Sequence, residues 1–108
     1  MPKTGDIVLV PFPFTDLSQN KVRPAVVLAV HRDDLTLVFV SSVSPKNIDF
    51  TLHLSRDIFQ KVGLKKESWV LVSKIATLDR NIVLGKIGSL DHALLKKLKI
   101  ILKDFFEI

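Results

Sequence analysis

An arginine at the mouth of an apolar strand is the group in this sequence best suited to chemistry on a phosphate. Arg23 stands directly before Pro24, and the run Ala25-Val26-Val27-Leu28-Ala29 follows at once. Proline biases the residue before it to extended backbone. The guanidinium is then a planar fork of donors placed to meet a phosphate or a carboxylate. The same arginine would also serve as a surface ion pair with Asp6 or Asp16, as most loop charges do. Ser41, Ser42 and Ser44 close a later apolar run. A hydroxyl converging with Arg23 on one rim could hold a phosphodiester and stabilise charge on its non-bridging oxygens. The plainer role for these serines is a hydrogen-bonded loop entry before Pro45.

The connection from Phe12 to Lys21 is longer than a tight hairpin needs. It carries Phe12, Phe14, Thr15, Asp16, Gln19, Asn20 and Lys21, a chemistry suited to contacting a ligand. Phe12 and Phe14 are spaced by two and would face the same way if the strand continued past Pro11. They either stack unpaired bases, at about 1–3 kcal/mol per base, or pack on the core beside Pro11 and Pro13. Trp69 reads as core, and His53 as a surface residue of an alternating strand.

Several chemistries are absent. His31, His53 and His92 are far apart, and without cysteine no metal signature of close-pair spacing exists. The glycines at 5, 63, 85 and 88 are scattered, so there is no phosphate-cradling glycine loop. Neither a G-x-S-x-G elbow nor a tyrosine occurs, and Asp33-Asp34 reads as a turn.

These groups need a scaffold of short strands. Ile7-Val8-Leu9-Val10, Ala25–Ala29 and Leu35–Val40 are β-branched runs bounded by Gly, Pro, Asp or Asn. Phe50-Thr51-Leu52-His53-Leu54 alternates with the period of a half-buried strand. Ser55 is placed to cap a helical turn over Arg56–Lys61, closed by Gly63. Ser68–Val72 predicts a strand continuing towards Ile75 and Ala76, followed by a break over Thr77–Asn81 and a last short strand over Ile82–Gly88. A helix then starts at Ser89-Leu90-Asp91, with Leu94, Leu95, Leu98, Ile101, Leu102, Phe105 and Phe106 on one face and Ile100 out of pattern. The expectation is a mainly β (α+β) fold: an SH3-like small antiparallel barrel with a C-terminal amphipathic helix, in a single domain over 1–108.

Composition fits a well-filled globule, at 47% hydrophobic with no span long enough for a bilayer. The first residues lack the apolar stretch of a secretory signal, and cysteine is absent, as suits a cytoplasmic protein. Of the net charge of +5, most lies in residues 56–90, which hold seven basic and three acidic side chains. That surplus favours polyanions or an acidic protein partner.

The segments GDIVLVPFPFTD and KVRPAVVLA together resemble the opening of the PemK/MazF-like toxins of bacterial type II toxin–antitoxin systems. DLTLVFVSS resembles that family's third-strand segment, GLKKESWVLVSKIATLD its central strand, and GKIGSLD the lead into its terminal helix. The resemblance is collinear over nearly the whole chain. It implies a homodimeric endoribonuclease that cuts single-stranded RNA, typically mRNA, at short sequences. No metal or other cofactor is needed, and the products are a 2′,3′-cyclic phosphate and a 5′-hydroxyl. It places catalysis on Arg23, acting on the scissile phosphate and in proton transfer, and on Ser41, where many members carry threonine. Serine keeps the hydroxyl and loses the methyl that restricts its rotation, which predicts weaker activity. The resemblance gives substrate contacts to the first loop, and Ser42 stands beside Ser41. The implied partner is an antitoxin with an acidic, flexible segment across the RNA groove, and operator DNA is bound only through that antitoxin. The Thr-to-Ser departure keeps a second reading open, a non-catalytic or gyrase-poisoning binding module on the same fold.

Overall fold

Strands form where short β-branched runs meet strand-breaking neighbours. The computed structural model describes residues 1–11 and 21–108. These contain β1 (Asp6–Pro11), β2 (Val22–His31), β3 (Asp34–Ser41), β4 (Thr51–Leu54), β5 (Ser68–Asp79) and β6 (Gly85–Ser89). A 3-10 turn covers Arg80–Ile82, and the helix α1 covers His92–Phe106. The strands lie in the order β4-β5-β3-β2-β1-β6, and neighbours in that order run antiparallel. This is the curled antiparallel sheet with one C-terminal helix that the sequence predicts.

Curling explains why the central strands do not alternate. Val26, Val38 and Val40 enter one apolar cluster with Leu54, Val70, Leu94 and Leu98. Their sequence neighbours Val27, Leu37 and Phe39 enter a second with Val8, Val10 and Ala25. One helix can cover only one face of a flat sheet, so the other face is enclosed by bending the sheet upon itself. Two irregularities assist. Leu28 is an extra residue in β2, between the pairs Val27↔Leu37 and Ala29↔Thr36. In β5, Val72, Ser73 and Lys74 fall outside the ladder, since Phe39 pairs with Leu71 and Val38 with Ile75. Bulges of this kind bend and twist the strand that carries them.

α1 begins one step later than expected. Ser89 ends β6, and Asp91 is the N-cap, its carboxylate accepting the Leu94 N–H at 2.8 Å. Leu94 and Leu98 are buried, Ile100 is exposed as its position predicts, and Phe106 is also exposed. The helix ends with Glu107 in the left-handed region.

Other expectations shift. The break placed over Thr77–Asn81 comes only after Asp79, because Thr77 pairs with Thr36 and their hydroxyls meet at 2.9 Å. The last strand accordingly starts at Gly85, after the 3-10 turn that Asp79 caps through the Asn81 N–H. The helical turn expected over Arg56–Lys61 is present as a run of hydrogen-bonded turns that does not grow into a longer helix: the Ile58 and Phe59 N–H groups both bond the Ser55 carbonyl. Gly63 does close this segment, at φ 93°.

Candidate functional site

Arg23 lies on β2 opposite Val10 of β1, and is half-buried, with its Nε shielded from solvent. The β2–β3 register runs through Ala25↔Phe39, and continued for two residues it brings Arg23 level with Ser41. Ala25 and Phe39 belong to the cluster on the side of the sheet away from α1. Side chains two residues on share their side, which puts Arg23 and Ser41 there as well. Both line one open cavity of about 240 Å³ with Phe39, Val40, Val43 and Leu71. Asp6, one of the two carboxylates considered for an ion pair with Arg23, is buried and engaged by Lys86 Nζ at 3.2 Å and by the Lys3 N–H at 2.9 Å.

The Ser41 hydroxyl is tied to the turn that leaves β3. Its Oγ accepts the Val43 N–H at 3.1 Å, and the Val43 carbonyl lies 3.4 Å away. This is the loop-entry role: the O–H reaches the Val43 carbonyl only through that longer bond, and the oxygen keeps further lone-pair capacity. Ser42 points elsewhere. It lines a separate cavity of about 390 Å³ whose walls include Leu9, Pro24, Lys65, Lys66 and Ser68. Lys21 is exposed just before β2. Phe12, Phe14, Thr15, Asp16, Gln19 and Asn20 lie outside the described residues.

Charge in the basic segment is partly offset, because Arg80 meets Asp33 at 3.4 Å and Lys86 meets Asp6. Lys65 and Lys66 stand on the wall of the second cavity. Among the described residues, no cluster of three or more His, Asp or Glu could hold a metal ion. No helix among them is long and apolar enough to cross a membrane.

One group escaped the sequence reading. Trp69 is not core: it pairs with Ser41 on one side and His53 on the other, and its ring stacks on that of His53. The alternation of Phe50–Leu54 placed His53 on the open side, but nothing local linked it to Trp69.

The arrangement can therefore bring a fixed cation and a hydroxyl to one phosphate. Solved structures share the fold. The Mycobacterium tuberculosis toxin MazF-mt6 superposes with a TM-score of 0.76 at 16% identity, covering 95% of this chain and 97% of its own. MazF from Deinococcus radiodurans gives 0.76 at 21% identity, over 99% and 97%. An endoribonuclease from Mycobacterial species, solved in complex with its cognate antitoxin, gives 0.79 at 14% identity, over 100% and 97%. No curated protein matches the chain in sequence. The family model for the PemK-like, MazF-like toxins of type II toxin–antitoxin systems matches residues 3–106, and the chain belongs to that family.

Proposed function

We propose that this chain is a metal-independent endoribonuclease toxin that cuts single-stranded RNA at short sequences. The observation that carries the reading is the shared cavity of Arg23 and Ser41, in a chain of this toxin family. The 2′-hydroxyl of the ribose attacks the adjacent phosphorus, and the bond to the 5′-oxygen of the next nucleotide breaks. The proton lost by the 2′-hydroxyl is matched by one gained at the departing 5′-oxygen. The products are a 2′,3′-cyclic phosphate and a free 5′-hydroxyl. The Arg23 guanidinium offsets the negative charge growing on the non-bridging oxygens. The Ser41 hydroxyl donates to one of those oxygens. The loop from Phe12 to Lys21 supplies substrate contacts.

The chain works as a cytoplasmic homodimer, restrained by an antitoxin whose acidic flexible segment covers the groove. A neighbour solved with its antitoxin and MazE–MazF complexes from Deinococcus radiodurans support such a partner. Operator DNA is reached only through that antitoxin.

The test is cleavage of single-stranded RNA in EDTA, with 5′-end mapping of the fragments. Arg23→Ala should lose about 10²–10³-fold, the usual effect of removing a transition-state charge partner. Undiminished cleavage by this variant overturns the assignment. The engagement of Ser41 by Val43 favours one rival, a binding module that has lost catalysis or poisons gyrase. DNA-damage signalling with intact mRNA after induction would establish that rival.

A further inference from the structure

On the side of the sheet away from α1, a row of cross-strand neighbours continues past the proposed site. Ser41 pairs with Trp69, and Trp69 pairs with His53 on the edge strand β4. The Trp69 and His53 rings stack, with centroids 5.0 Å apart and planes within 2°. Glu67 Oε2 meets His53 Nε2 at 2.5 Å, which fixes the imidazole's orientation. The His53 side chain is nonetheless 48% exposed. Strands are spaced by about 4.8 Å, so His53 stands two strands, roughly 10 Å, beyond Ser41. One nucleotide can span that separation between its phosphate and its base. Cross-strand packing alone accounts for the stack. It does not account for an open ring face held in line with a guanidinium and a hydroxyl.

We infer that the Trp69–His53 stack is a subsite for one unpaired nucleobase next to the phosphate at Arg23 and Ser41. This inference rests on the ribonuclease reading above. The base lies on the open face of the imidazole and lengthens the stack, a contact available to every base through its π-face. The Glu67 carboxylate has acceptor sites beyond the one used by His53. It can receive an amino group such as those of adenine, cytosine and guanine, which uracil lacks. Uracil offers the carboxylate only its single N3–H, so the subsite favours the bases that carry an amino group.

The chain contains one tryptophan, so Trp69 emission reports on this subsite without any cleavage. Short oligo(dA), oligo(dC) and oligo(dU) lack the 2′-hydroxyl and cannot be cut by the proposed reaction. Titrating them into the wild-type chain should quench Trp69, with oligo(dU) binding weakest. His53→Ala should weaken oligo(dA) and oligo(dC) by roughly 5- to 100-fold, and His53→Phe should restore binding. RNA cleavage by the wild type is measured alongside. If it cuts RNA while the emission is unmoved, or while His53→Ala binds as tightly, the subsite is refuted and the ribonuclease reading stands. If it neither cuts nor binds, both fall. Quenching by an acidic peptide but not by oligonucleotides would make the stack a protein contact and also overturn the inference.

Discussion

Ser41 holds Val43: the hydroxyl oxygen accepts the Val43 N–H at 3.1 Å, on the rim it shares with Arg23. The bond sets the serine's rotamer only in part, because serine has no methyl to restrict χ1. Ser41→Thr keeps the oxygen and adds that restriction. Ordering one side chain is worth about 0.5–1.5 kcal/mol, so RNA cleavage should rise by roughly 2- to 10-fold. Ser41→Ala should reduce it and leave the Val43 N–H to water. Rates under substrate-limiting conditions decide between these directions.

Arg23→Lys tests geometry apart from charge. Lysine supplies a point charge on a flexible stem and lacks the planar fork. Cleavage should fall by at least about 10-fold while the melting temperature moves little, with the alanine variant lower still. Activity equal to wild type would show that charge alone suffices.

Gly88 and Val62 approach so closely that a Cβ on Gly88 would lie 1.8 Å from the Val62 carbonyl oxygen. One on Gly63 would lie 2.1 Å from the Ile87 carbonyl oxygen, at a φ of 93° that already disfavours side chains. Either alanine substitution must part the 62–63 turn from β6, at a cost of about 3 kcal/mol or more. A Cβ on Gly85 would meet nothing within 4 Å, so Gly85→Ala should stay within about 0.5 kcal/mol of wild type. Urea midpoints provide the comparison.

Asp6 is buried, and its carboxylate is held by Lys86 and by the Lys3 N–H. The Lys86 side chain is 52% exposed, so water screens the pair and Lys86→Met should cost only about 1 kcal/mol. Asp6→Ala also strands the Lys3 N–H and should cost about 1–3 kcal/mol. The reverse order in urea unfolding would contradict this division.

The strands were legible because their residue types and boundaries are local properties. Ile7–Val10, Ala25–Ala29 and Leu35–Val40 all fall inside observed strands. What local reading missed depends on distant partners. Thr77 and Asp79 look like turn residues, yet β3 lies alongside and Thr36 pairs with Thr77. Phe106 fits the helical apolar spacing, but it stands at the last position of α1 and stays exposed. At the site, antiparallel neighbours were enough to expect Arg23 and Ser41 on one rim. The different direction taken by Ser42 and the exposed stack of Trp69 on His53 follow from register, which composition does not encode. The contacts expected of Phe12, Phe14, Thr15, Asp16, Gln19 and Asn20 lie outside the described residues.

The extra residue in β2 has an effect at the far end of its hairpin. Near the turn, His31 pairs with Asp34 and Ala29 with Thr36. Were that alignment carried on unbroken, Arg23 would come abreast of Ser42. Leu28 absorbs one step, after which Ala25 meets Phe39 and the guanidinium reaches Ser41 instead. A single leucine, five positions from the arginine and packed among apolar neighbours, thus selects which alcohol the cation accompanies. Pairing it into the ladder, in place of bulging it out, would swap the two serines without altering either of them.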